Sequence, residues 1–197
     1  MGLVRMTPQN EFWLVRHGET EWALTGQHSG RYDIPLTPSG EREAEALRGI
    51  LKPENFETVL CSPLRRARRT CEIAGFANVA VIEPDIMEWD YGDCTSFTQD
   101  QMREKFPGWN IWDGPVPNGE SIDQIAARAM RVIDRYGENR GRILLFAHGH
   151  FLRVFATQFL KLPPQAGMHL ALDPCAVCVL GQDAGFPAIC QWNRAST

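Results

Sequence analysis

Two stretches of this chain end alike. Phe12-Trp13-Leu14-Val15-Arg16 runs into His17-Gly18, and Ile143-Leu144-Leu145-Phe146-Ala147 runs into His148-Gly149. Each opens as a short apolar run of the kind that forms a buried strand, and each closes on a histidine followed by a glycine, which permits a sharp turn. In a parallel sheet both histidines arrive at the same edge. That edge, at the carboxyl ends of the strands, is where open α/β sheets bind their ligands.

The rest of the pattern fits such a sheet. Residues 12–16 read as the first strand, and a polar, glycine-rich loop, residues 25–31, follows. Thr37 and Pro38 open a helix, threonine as N-cap and proline in the first turn. Its apolar positions Ala44, Leu47 and Leu51 recur at helical spacing, and Pro53 ends it. Thr58–Cys61 is a second strand, leading into a helix over residues 63–74 with Ser62 as its expected cap and Gly75 as its stop. Ala80–Ile82 is a weaker third strand. Residues 88–119 are rich in aromatics, glycine and proline, with a short helix near 98–105. Ser121 caps a helix to about Tyr136, with Ile122, Ile125, Ala129 and Val132 as its apolar stripe. Residues 143–147 are the strongest strand, a helix over 151–160 follows, and strands at 177–181 and 188–192 close the chain. Strands alternating with helices imply an α/β three-layer sandwich around a largely parallel sheet of about five to six strands. With 197 residues, no repeat and no clear linker, residues 1–197 read as a single domain with an insertion at about 93–120.

Composition removes several functions. Twenty basic and 24 acidic residues leave a net charge of −4, which argues against broad binding to nucleic acid or anionic membranes. No run is long and apolar enough to span a bilayer. Residues 1–10 hold no apolar signal region, so a cytoplasmic location is expected. Gly2 begins a myristoylation-like pattern, but Met6 stands where serine or threonine is required. Six cysteines in a chain this long do not make a disulfide framework. Cys175 and Cys178 fall in an apparent core strand, where positions three apart face opposite sides, so they read as small buried hydrophobes rather than metal ligands.

An arginine and a histidine side by side at a strand end suit phosphoryl chemistry. The guanidinium holds phosphate oxygens while a ring nitrogen attacks phosphorus. A second basic feature is Ser62-Pro63-Leu64-Arg65-Arg66-Ala67-Arg68-Arg69-Thr70. Cations in the first turns of a helix oppose its dipole, and a phosphate placed there would relieve that and meet the free backbone N–H groups. Helix geometry allows one or two of these arginines that role and leaves the others on the surface.

Taken in order, Arg16-His17-Gly18-Glu19-Thr20, Ser62-Pro63-Leu64 with Arg66, Ala67 and Thr70, Glu88 four before Gly92, and His148-Gly149 resemble the histidine phosphatase superfamily, which includes the cofactor-dependent phosphoglycerate mutases. The segments around Thr25-Gly26-Gln27-His28-Ser29-Gly30, Glu88-Trp89-Asp90-Tyr91-Gly92 and His148-Gly149-His150-Phe151-Leu152-Arg153 most resemble its sedoheptulose 1,7-bisphosphatase-like branch. The resemblance implies a phosphoglycerate mutase-like fold and a phosphoric monoester hydrolase of the histidine acid phosphatase type. It makes His17 the nucleophile that becomes a phosphohistidine. Arg16, Arg66 and His148 would surround the phosphoryl group, and Glu88 would serve as general acid and then base. A fixed cationic cage suits a transition state that spreads charge over equatorial oxygens, so neither metal nor cofactor is implied.

Substrate contacts are expected from Gly18, the loop Gln27-His28-Ser29, Gly149, and Arg153, which lies one turn past His148 and could clamp a second anion. As proton-transfer groups, His28 and His169 read as peripheral. Phe97, Phe106, Trp109 and Trp112 of the insertion could roof the pocket. Ala23 stands where the mutases carry an asparagine, and Cys94-Thr95-Ser96 where many relatives carry a glutamate-glycine pair. The expected activity is metal-independent hydrolysis of a small phosphorylated metabolite, a sugar phosphate. The alternatives are a mutase-like phosphotransferase and an inactive scaffold that binds a phosphorylated partner. The sequence names neither the substrate nor the oligomeric state.

Overall fold

The computed structural model describes residues 10–137 and 141–196. The N-terminal pattern around Gly2 and Met6 lies outside them. Strand β1 (Glu11–Arg16) is followed by a short helix α1 (Glu21–Thr25), capped by the Thr20 side chain, and by α2 (Pro38–Ala46). Thr37 caps α2 as expected, its Oγ1 accepting from the Gly40 N–H at 3.0 Å. The helix is shorter than its periodicity suggested. It tightens into a 3-10 turn at Leu47–Gly49, and Pro53 opens a separate 3-10 turn. Strand β2 (Thr58–Cys61), helix α3 (Arg65–Ile73) and strand β3 (Ala80–Ile82) come next. Then follow α4 (Gln99–Lys105), α5 (Ile122–Tyr136), β4 (Arg142–Ala147), α6 (Gly149–Phe159), β5 (Val177–Asp183) and β6 (Phe186–Arg194).

The six strands form one sheet in the order β3-β2-β4-β1-β5-β6. The four inner and left-hand strands run parallel, while β5 pairs antiparallel with β1, and β6 antiparallel with β5. Ala184 and Gly185, at φ of 49° and 84°, turn the terminal hairpin, as a two-residue loop requires. Strand periodicity sorts the core into two layers. Phe12, Leu14, Leu60, Ile143, Leu145 and Cys178 face α5 and α6, whereas Val15, Val59, Leu144 and Phe146 face α2 and α3. This is the expected three-layer sandwich, and full burial of each such side chain contributes about 1.5–3 kcal/mol. Cys175 and Cys178 fall in opposite layers, although Cys175 precedes its strand rather than lying in it.

In β1 and β4 the register sets Arg16 opposite Ala147, so the following residues, His17 and His148, leave the sheet side by side. The His17 N–H donates to the Ala147 carbonyl at 3.0 Å.

Candidate active site

His17 and His148 are buried, 3% and 0% exposed, with ring centroids 5.2 Å apart. The His17 Nδ1 lies 2.7 Å from the Gly18 carbonyl oxygen, which can only accept. That bond places the ring proton on Nδ1 and leaves the lone pair on Nε2. Arg66, from the first turn of α3, aims its Nε–H at that Nε2 across 3.2 Å. Its Nη1 and Nη2 donate to the carbonyls of Tyr32 (2.7 Å) and Gly30 (2.6 Å), which fixes the guanidinium plane. Burial pushes the His17 pKa well down, and the Arg66 and Arg16 cations push it further, so the ring is neutral and nucleophilic near pH 7. His148 is held neutral by burial and then by the Arg66 cation.

The four arginines of α3 divide as helix geometry requires. Arg66 turns inward, Arg69 pairs on the surface with Glu41 and Glu72, and Arg65 and Arg68 are exposed. The helix N-terminus itself is taken, because Asp33 Oδ1 accepts the Arg65 N–H at 2.6 Å. Ser62 is not the cap its position before proline suggested. The helix begins at Arg65, and the Ser62 hydroxyl lies 2.7 Å from His148 Nε2. It thereby orients the second histidine, a role with no local sequence signal.

Glu88 reaches the site from a segment without regular structure. Its Oε1 accepts the N–H groups of Trp89 (3.0 Å) and Phe151 (2.9 Å), and its Oε2 that of His150 (3.2 Å). His150 and Phe151 are the second and third residues of α6, so the carboxylate sits on a helix N-terminus, where backbone donors and the dipole favour it. The helix starts two residues before the position expected from its apolar pattern, and this is what brings His148 to its N-cap.

Among the described residues, two buried side-chain polar atoms lack a hydrogen-bond partner: Arg16 Nε and His148 Nδ1. Both belong to groups flanking His17. Arg16 is held by its Nη1, which donates to the Leu172 carbonyl at 2.5 Å. Its Nε lies 3.4 Å from where a Cβ on Gly149 would stand, so glycine there gives the guanidinium room.

Beside this cluster is a cavity of about 230 Å³, lined by Arg16, His17, Glu88 and, on its outer walls, Trp22, Ala23, Gln27, His28, Ser29, Gln99, His150 and Arg153. Gly149 also lines it, but Gly18 does not. Gly18 packs backbone to backbone with Gly40, where a Cβ would come within 2.5 Å of the Gly40 oxygen, and its N–H donates to Thr70 Oγ1 at 3.0 Å. It therefore packs behind His17 and does not line the cavity. The Gln27 amide is also occupied, bonding to Ser96 and Thr25. A larger cavity, about 940 Å³, lies along the outer face of α3 and holds none of the clustered groups.

The walls of the smaller cavity hold residues that local motifs did not reveal. The Tyr91 hydroxyl lies 2.5 Å from His150 Nδ1. Burial raises the Tyr91 pKa and lowers that of His150, so both are neutral. His28 donates from Nδ1 to the Phe97 carbonyl at 2.8 Å and packs edge-on against Tyr91. Arg153 is half-buried and engaged. Its Nε and Nη2 donate to the carbonyls of Gly167 and Met168, and it stacks 4.6 Å over Trp112. From 93–120, Gln99 lines the cavity, while Trp109 and Trp112 are buried in the α6-side layer and Phe106 is 51% exposed. The segment joins the site through backbone bonds between residues 96–97 and His28 and through the contact of Trp112 with His150.

The sequence profile of the histidine phosphatase superfamily (branch 1) matches residues 12–195. The chain belongs to that superfamily. It is 34% identical over 176 residues to an acid phosphatase of Mycobacterium tuberculosis, covering 87% of this chain and 86% of the relative. It is 35% identical over 184 residues to sedoheptulose 1,7-bisphosphatase of Saccharomyces cerevisiae, covering 77% and 68%. The solved structure of a Mycobacterium tuberculosis open reading frame product superimposes with a TM-score of 0.90 at 30% identity, covering 95% of this chain and 99% of that one. The α/β architecture is thus that of solved members, and the chain's relatives include phosphatases acting on small phosphorylated substrates. Among the described residues no helix is long and apolar enough to cross a membrane.

Proposed function

We propose that the protein is a phosphomonoesterase that hydrolyses a small phosphorylated metabolite, a sugar phosphate, through a phosphohistidine on His17. The observation that carries this is the pair of buried, unpartnered nitrogens, Arg16 Nε and His148 Nδ1, beside a neutral, lone-pair-bearing His17 Nε2. Buried polar atoms are seldom left unsatisfied, and these two suit the oxygens of a phosphoryl group. His17 Nε2 attacks phosphorus, the bond to the leaving oxygen breaks, and Glu88 delivers a proton to that oxygen. A water then attacks phosphorus, Glu88 takes its proton, and the P–N bond breaks to release phosphate. Arg16, Arg66 and His148 stabilise the transferring group, so the reaction needs no metal.

The small cavity beside the cage limits the leaving group to a compact one, and its His150, His28, Gln99, Ser29 and Arg153 side chains suit hydroxyl and anionic oxygens. Residues 93–120 close that side, and the chain acts as a single domain. Ala23 in the cavity wall, where mutases carry asparagine, favours water over a second substrate as acceptor. Six free cysteines, five of them buried, suit the reducing cytoplasm.

The test is hydrolysis of 4-nitrophenyl phosphate and a panel of phosphorylated metabolites with chelator present, together with acid-quenched trapping of the phosphoenzyme on His17. Turnover without a phosphohistidine would overturn the mechanism. Interconversion of phosphoglycerates faster than hydrolysis would overturn the choice of acceptor.

A further inference from the structure

Helix α5 carries an arginine on its buried face. Arg128 is 7% exposed, and every arm of its guanidinium is engaged. Nε and Nη2 grip the Glu120 carboxylate in a fork, at 2.7 and 2.9 Å. Nη1 donates to the carbonyls of Asp85 (2.6 Å) and Met87 (3.0 Å), and Nη2 also approaches the carbonyl of Glu88 at 3.4 Å. Glu120 continues the hold on the other side of Glu88. Its Oε2 accepts the Asp90 N–H at 3.0 Å, its carbonyl accepts the Trp89 indole N–H at 2.8 Å, and its own N–H donates to the Asp90 carbonyl at 2.9 Å. Burial alone would push the Glu120 carboxyl up, but the bonds and charge of Arg128 outweigh it and hold it below its ordinary value. One buried ion pair thus fixes the main chain from Asp85 to Asp90, a stretch with no sheet ladder around Glu88.

The Glu88 side chain has a separate anchorage on the N–H groups of α6. That anchorage depends on charge, since a carboxylate oxygen accepts well and a protonated one poorly. An acid that must hold a proton at one stage and lack it at the next is secured by those amides at only one of the two. The bonds from Arg128 to the main-chain carbonyls of Asp85, Met87 and Glu88 do not change when the Glu88 carboxyl takes up a proton. We infer that Arg128, locked by Glu120, is a positioning residue that keeps Glu88 in place while it is protonated and donating to the leaving oxygen. This deepens the reading of Glu88 as general acid and rests on it.

The role predicts a dependence on the leaving group that a merely structural contact would not give. A nitrophenolate departs without a proton, whereas the alkoxide of a sugar phosphate needs one, and general acid catalysis typically contributes about 10²–10⁴-fold. Full-length Arg128→Lys, which keeps the charge but loses the planar fork, should lower kcat/KM for fructose 6-phosphate by about thirtyfold or more. Its loss on 4-nitrophenyl phosphate should be several times smaller. Glu120→Gln, a milder change that keeps the shape, should show the same bias to a lesser degree and serves if the lysine variant does not fold. Glu88→Gln sets the reference bias. Equal losses on both substrates in folded Arg128 and Glu120 variants, with a clear bias in Glu88→Gln, would overturn the positioning role alone. No bias in Glu88→Gln would overturn the acid assignment and the inference with it.

Discussion

The two halves of the site are built differently. Its inner half, with His17, His148 and Arg66, stands on the ends of β1 and β4 and on the first turn of α3. Its outer half, with His28, Tyr91, His150, Gln99 and Arg153, is joined by side-chain bonds and aromatic contacts between segments far apart in the chain. The first inherits its geometry from strand register, which a one-residue slip would destroy throughout. The second is assembled contact by contact. A site of this kind keeps its chemistry on the rigid part and its selectivity on the adjustable part.

The largest expected effect probes the inner half. His17→Ala should lower kcat by about 10⁴-fold or more, because it removes the proposed phosphoryl acceptor. Steady-state hydrolysis of 4-nitrophenyl phosphate measures it, and residual activity within tenfold of the parent would remove the nucleophile. A distinct test is thermodynamic. His17, His148 and His150 are held neutral by burial, with cations of Arg16, Arg66, Arg128 and Arg153 facing them. Their folded pKa values lie well below the ordinary 6.5, so as pH falls through 6.5 the unfolded chain binds protons that the native protein refuses. Stability is therefore lost on acidification, by about 1.4 kcal/mol per pH unit for each histidine. Urea titrations between pH 7 and 5 should show the decline, and His17→Asn should lessen the slope by about one proton. A flat profile would contradict the buried neutral set.

Ser62→Ala comes next. It removes the partner of His148 Nε2 without touching the cavity wall and should lower kcat by roughly 10–100-fold with KM little changed. A change in KM alone would place Ser62 in substrate binding instead. The smallest effect belongs to the outer half. Arg153→Met should raise KM about tenfold for substrates whose leaving group carries a second anion, and less for those that do not. Equal changes on both would mean that Arg153 serves only to pack Trp112 and hold the carbonyls of Gly167 and Met168.

What could be foreseen from sequence follows the same division. His17 and His148 were legible because apolar runs declare strands, and parallel strands deliver their ends to one edge. Thr37 was legible because capping is local. Ser62 misled for the same reason: serine before proline is a frequent helix opening, but here the hydroxyl is engaged by a histidine 86 residues away. Gly18, read as a substrate contact, lies in close backbone approach to Gly40, a packing that local sequence does not announce. The Tyr91–His150 bond and the Arg128–Glu120 fork depend on how α5, α6 and the loops pack, and no spacing rule announces them.

Helix α6 bears His148 at its N-cap and offers its next amides to the Glu88 carboxylate. A single rod thus acts as a calliper, setting the gap between the proposed proton donor and the proposed cage in steps of the helical rise. On the proposed mechanism, descendants of this chain could rewrite residues 93–120 to admit a different alcohol while the distance over which the proton travels stayed the same.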